Sequence, residues 1–196
     1  MSDRFVIEET PLDGLKVIQR NYVGDTRGFF ERLFCSSDLE PLMKHRRIAQ
    51  INQSLTHDVG AVRGMHFQHP PYAETKIVTC TKGELFDVAV DVRSSSPTFL
   101  QWFGIRLSEE NHTSLLIPEG FAHGFQVLRP DSQILYFHSA PYHKDAEGAL
   151  NALDPRVAIR WPLAVGSRSE RDAEHPMLED SFPGILVPVE AGVIGH

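Results

Sequence analysis

The sequence predicts an all-β sandwich or barrel of jelly-roll type, and two observations carry that expectation. Strand-length runs rich in Val, Ile, Phe, Thr and Leu recur from about residue 15 onward, each bounded by Gly, Pro, Asp, Asn or Ser. No long amphipathic helix alternates with them, which argues against a parallel α/β sheet. With no repeat, low-complexity tract or linker in 196 residues, one domain spanning 1–196 is the natural organisation.

Taken in order, the runs are LKVIQR, KIVTCTKG, ELFDVAVDVR, TFLQWFGIRLS, TSLLIP, FQVL and SQILYFHS. The stretch VRGMHFQHPPYAETK (62–76) is strand-like at its start, and Pro70 and Pro71 turn its end into a loop. A short helix is expected around SSDLEPLMKH, capped by serine and limited by Pro41. The apolar C-terminal run 181–196, broken by Pro and Gly, reads as a strap along the domain or a partner subunit, with a disordered tail as the alternative.

Composition narrows the function. The net charge of −7 and the absence of any basic run longer than Arg46-Arg47 speak against nucleic acid as a partner. No stretch of about 18 apolar residues suggests a membrane span, and MSDRFVIEET has no signal-peptide character, so a cytoplasmic location is expected. Cys35 and Cys80 fall in no CxxC pattern and read as reduced structural thiols.

Two chemistries fit the polar residues of 62–76. A metal site could be drawn from His66, Glu74 and His123, although His66 and His69 lack the i, i+2 spacing that puts two ligands on one strand face. Proton transfer beside a carbonyl is the other. His66 suits the base, Lys76 suits a cation near a developing enolate, and Tyr136 suits an acid. Strict alternation would put Arg63 and His66 on opposite faces, so both reach one cavity only if Gly64 allows a bulge.

The motifs DTRGFF, QINQS, VRGMHFQ, KIV, DVAVDVRSSSPTF, IPEGFAHGF, LYFHSAPY and IRWP occur in that order between residues 25 and 162. In them the chain resembles the dTDP-4-dehydrorhamnose 3,5-epimerases over roughly residues 12 to 180. The resemblance implies a cupin-type jelly roll, a homodimer with shared strands, no metal or organic cofactor, and a nucleotide-linked 4-keto-6-deoxyhexose as substrate. Carried over residue by residue, it implies His66 as base, Asp172 as its carboxylate partner, Tyr136 as acid and Lys76 as the cation at the keto oxygen. It also implies substrate contacts from Gln50, Asn52, Arg63, His123, Glu147 and Arg171. Arg27 would reach the diphosphate and Tyr142 would stack on the base. The family's commonest run, RGFFxE, is here RGFFER, so Arg32 stands where a base-contacting glutamate is expected. That departure leaves the nucleotide open, as it leaves open whether C3, C5 or both are inverted. A metal-dependent cupin isomerase or dioxygenase and a non-catalytic sugar-nucleotide-binding cupin are the alternatives.

Overall fold

A computed structural model describes residues 4–187. Its core is two antiparallel sheets. The first, of six strands, runs β1 (Phe5–Glu9), β2 (Lys16–Arg20), β10 (Thr113–Ile117), β7 (Lys76–Lys82), β12 (Ser132–His138) and β5 (Gln50–Thr56). The second, of five, runs β13 (Glu147–Ala149), β6 (Val62–Gln68), β11 (Phe121–Val127), β8 (Glu84–Asp91) and β9 (Trp102–Ser108). Non-consecutive neighbours within each sheet and antiparallel pairing throughout make this a jelly roll of the cupin type.

Alternation explains how the sheets close. Val17, Val78, Leu115, Ile117 and Ile134 from one sheet pack on Leu85, Ala89, Leu107, Phe121 and Phe125 from the other. The second sheet is buried on its outer face too. Val62, Met65, Phe67, Val88 and Val90 point there and are covered by Leu150, Ala152, Val157 and Ile185. This two-sided burial is why β8 and β11 are buried along nearly their whole length, polar positions included.

The last described residues lie along that covered face. Ile185 bridges Arg93 in parallel and exchanges backbone hydrogen bonds with Val92 and Ser94, while Phe182 stacks on Phe99. The remainder of the C-terminal strap, 188–196, falls outside the described residues.

Several elements differ from expectation. The short helix α1 spans Glu40–Met43; its N-cap is Leu39 with no side-chain hydrogen bond, and Pro41 lies inside its first turn. Proline is at home there because the first-turn N–H groups have no intrahelical partner. A hairpin formed by β3 (Val23–Asp25) and β4 (Gly28–Phe30) is exposed along both strands, including Val23, Phe29 and Phe30. A second helix, α2 (Glu170–Glu174), is capped by Ser169, whose Oγ accepts from Asp172 N at 3.1 Å. Among the described residues no helix is long and apolar enough to cross a membrane.

Candidate active site

The site begins with an irregularity in β6. Register places His66 opposite His123 and Arg63 opposite Phe125, so three steps on β6 face two on β11. That extra residue is a bulge, and it turns Arg63 and His66 into the same cavity. Gly64 makes it sterically possible: its φ is +120°, and a Cβ there would lie 2.6 Å from Gly124 Cα and 2.7 Å from the His123 carbonyl oxygen. The bulge also frees the Gly64 N–H from the strand ladder. It donates to Asp172 Oδ2 at 3.1 Å.

Asp172 therefore holds two groups at once. Its other oxygen, Oδ1, lies 2.8 Å from His66 Nε2. Burial alone would raise the pKa of this carboxylate, but the His66 and Gly64 hydrogen bonds outweigh it and hold Asp172 well below the ordinary range. An ionised partner fixed in this way orients the imidazole and leaves its second nitrogen for a proton.

The cavity has a volume of about 570 Å³ and is walled by both sheets. From the six-stranded sheet come Asn52, Ser54, Lys76, Tyr136 and His138; from the five-stranded sheet come Arg63, His66, His123 and Glu147; and Tyr142 and Arg171 lie around them. Lys76 spans the gap, with Nζ 3.1 Å from Glu74 Oε1 and 3.5 Å from the backbone oxygen of His66. Burial works against the charge on Glu74, but the His138 hydrogen bond at 2.9 Å and the Lys76 ammonium keep its pKa below the usual value. The Tyr136 hydroxyl is 3.1 Å from Ser54 Oγ. Burial pushes this phenol up to about 12, against the pull of Ser54 and Arg63, so it keeps its proton at neutral pH.

A second histidine–carboxylate pair lies beside the first. His123 Nε2 is 2.8 Å from Asp87 Oδ1, and Asp87 is fully buried, its Oδ2 without a hydrogen-bond partner among the described residues. Burial raises the pKa of this carboxylate. At the cavity's edge Arg171 joins Glu147 at 3.1 Å, Glu147 accepts from the Tyr142 hydroxyl at 3.1 Å, and Gln50 Oε1 accepts from Tyr142 N at 3.1 Å.

Of the residues singled out in the sequence, His66, Lys76, Tyr136, Asn52, Arg63, His123, Tyr142, Glu147 and Arg171 line this cavity. Asp172 lies behind His66, and Gln50 reaches the cavity's edge through Tyr142. Arg27 and Arg32 are not in it. Arg27 is on the exposed hairpin, paired with Asp25, and Arg32 pairs with Asp38 at 3.2 Å. The neighbouring Glu31 turns into the body, held by buried Arg20 at 2.9 Å and His112 at 3.0 Å. The metal trio His66, Glu74 and His123 does not converge either: their polar atoms go to Asp172, to His138 and Lys76, and to Asp87. Ser54, Asp87 and His138 are additions from the structure. All three lie inside motifs quoted above, but a strand residue gives no sign of its partner on the neighbouring strand or the loop leading into it.

Against this geometry, the family model for dTDP-4-dehydrorhamnose 3,5-epimerase matches residues 9–180. The chain belongs to the dTDP-4-dehydrorhamnose 3,5-epimerase family. It is 40% identical over 177 residues to the dTDP-4-dehydrorhamnose 3,5-epimerase of Sinorhizobium fredii, covering 90% of this chain and 91% of that protein. The crystal structure of dTDP-6-deoxy-D-glucose-3,5-epimerase from Legionella pneumophila, in complex with dTDP-4-keto-L-rhamnose, superposes with a TM-score of 0.87 at 39% identity. That match covers 94% of this chain and all of the Legionella chain. A 3'-monoepimerase from Streptomyces bikiniensis, in complex with dTDP-quinovose, matches at 30% identity and a TM-score of 0.81, over 86% of this chain and 85% of that one. Family membership makes the protein an isomerase of deoxysugar biosynthesis.

Proposed function

We propose that this chain inverts C3 and C5 of dTDP-4-dehydro-6-deoxy-D-glucose to give dTDP-4-dehydro-L-rhamnose. One observation carries the reading. His66, backed by Asp172 of α2, enters the cavity from the five-stranded sheet, and the Tyr136 phenol enters from the opposing six-stranded sheet. Inverting a carbon centre requires a proton to leave one face and another to arrive on the opposite face, and a base and an acid on facing walls supply that.

The proton alpha to the C4 ketone goes to the free nitrogen of His66, and the C–H electron pair moves into the carbonyl to form an enolate. Asp172 stabilises the imidazolium that results. The Lys76 ammonium, held between the two walls, offsets the charge on the enolate oxygen. The enolate then takes a proton from Tyr136 on its other face. Solvent exchange returns the proton from His66 and reprotonates the phenolate, and the cycle repeats at the second carbon. Arg63 and Arg171, whose guanidinium forks suit phosphate oxygens, border the same space.

Arg27 contributes to a substrate site only from another copy of the chain. The hairpin that carries it exposes Val23, Phe29 and Phe30, and β5, an edge of the six-stranded sheet, exposes Ile51 and Leu55. Both features support a homodimer in which the hairpin of one subunit reaches the other. Arg32 stands next to that hairpin and would border the nucleotide base across the same interface. Sedimentation of the full chain as a monomer at micromolar concentration would rule this arrangement out.

The decisive experiment follows proton exchange by NMR in D2O with the dTDP-keto-sugar. Deuterium is expected at C3 and C5, with His66→Ala slower by about 10²–10⁴-fold. Exchange at C3 alone would place the chain with the monoepimerases, and binding without exchange would leave a sugar-nucleotide-binding cupin. A parallel binding comparison of dTDP with UDP, GDP and CDP tests the nucleotide, since Arg32 cannot accept the thymine imide proton.

A further inference from the structure

His175 is a residue the proposed reaction does not use. It stands just past the end of α2, where Asn151 Nδ2 fixes its carbonyl oxygen at 2.6 Å, and its ring meets that of His66 edge-on at 6.2 Å. Its Nε2 is shut off from solvent and has no hydrogen-bond partner among the described residues. One ligating atom each from His66, Asp172 and His175 lie within 4.8 Å of one another. The family resemblance points to His66 and Asp172; it says nothing of this third group.

We propose that His66, Asp172 and His175 form an inhibitory binding site for a borderline divalent metal ion, with zinc the best fit. Two imidazoles and a carboxylate are a donor set zinc accepts, at bonds of about 2.0–2.2 Å. Such bonds place tetrahedral donors about 3.4 Å apart, so the trio must draw in from separations of up to 4.8 Å to close on the ion. His66 and Asp172, though not His175, line a second recess of about 480 Å³ beside the catalytic cavity, so an ion would approach from their side. The Arg171 guanidinium, 3.3 Å from His66 Nε2 and 3.6 Å from Asp172 Oδ1, competes with the ion and must swing out. More than half of that side chain is exposed, so it has room to move.

The consequence for catalysis rests on the reading of His66 as the base. An imidazole that ligates a metal through one nitrogen carries its proton on the other, so neither has a lone pair for the substrate. Zinc at this site therefore stops proton abstraction by occupying the base.

The test titrates the full chain with zinc chloride against a zinc-chelating dye, without substrate, and records the ring-nitrogen NMR signals of the histidines. One equivalent of zinc is expected to move the His66 and His175 signals together. His175→Gln is expected to weaken that binding by more than roughly tenfold while leaving zinc-free proton exchange intact, and Arg171→Gln is expected to tighten it. Movement only of other histidines, or equal zinc affinity in wild type and His175→Gln, overturns the site. Because binding is read without substrate, a chain that bound zinc here yet exchanged no keto-sugar proton would overturn the proposed function and leave the site standing. The wild-type NMR arm decides the question even if a variant does not fold.

Discussion

Two histidine–carboxylate pairs stand side by side on paired strands, both 2.8 Å long, and they behave oppositely. Asp172 accepts from His66 and from a backbone N–H, and it is held ionised. Asp87 accepts from His123, its other oxygen has no hydrogen-bond partner among the described residues, and burial pushes it toward its protonated form. The distance between ring and carboxylate is therefore no guide to charge state. What decides it is whether enough donors replace the lost water. The pair with a supported carboxylate is also the one whose histidine reaches solvent, with 27% of its side chain exposed against 5% for His123. That contrast fits one pair for carrying a proton cycle and the other for holding the wall beside it.

Asparagine breaks the comparison most sharply, because an amide imitates a protonated carboxyl and not an ionised one. Asp172→Asn is expected to slow keto-sugar proton exchange by about 10²–10⁴-fold, since the imidazolium loses its counter-charge. Asp87→Asn imitates the state that burial already favours, and exchange is expected to stay within about tenfold of wild type. Equal losses in the two variants would show that Asp87 works as a charge.

The same contrast marks what the sequence could convey. The sheets were legible because burial imposes alternation, and seven strands lie where Val, Ile and Phe recur between turn residues. Gly64 announced the bulge, since alternation alone kept Arg63 and His66 apart. The β3–β4 hairpin was hidden because its apolar residues are exposed and follow no buried face. The pairing of Asp172 with His66 spans 106 residues, and no local pattern encodes it; only the family resemblance pointed there. Asp87 in DVAVDV looks like the outward face of a strand, a polar residue among valines, but is fully buried. Arg32 shows the converse, a position assigned by analogy that folds away from its own chain's cavity.

Acid unfolding sharpens the comparison by sign. Asp172 has a folded pKa below its usual 3.8, so its contribution to stability is present above that value and is lost as the pH falls. Asp87 has a folded pKa above 3.8, so its contribution is present below that value and is lost as the pH rises through the folded pKa. Urea unfolding across a pH series is expected to show a shallower acid-side loss in Asp172→Asn and a steeper one in Asp87→Asn. Parallel curves for both variants and wild type would mean that neither carboxylate changes its pKa on folding.

The smallest effect concerns the opposite wall, where the acid is held by a neutral hydrogen bond with Ser54. Ser54 meets the Tyr136 hydroxyl at 3.1 Å, while burial keeps that phenol at about 12. Ser54→Ala removes an interaction of about 0.5–1.5 kcal/mol, which corresponds to roughly a two- to twelvefold loss in any step that depends on it. Only proton delivery should depend on it, because abstraction belongs to His66 on the other sheet. Deuterium washout at the carbon next to the ketone is therefore expected to continue at nearly the wild-type rate while formation of the inverted product slows. The ratio of exchange to inversion then rises, which general loosening of the cavity would not produce. If washout and inversion slowed together, the hydroxyl pair would be supporting the cavity as a whole, and the assignment of base and acid to separate walls would lose its kinetic basis.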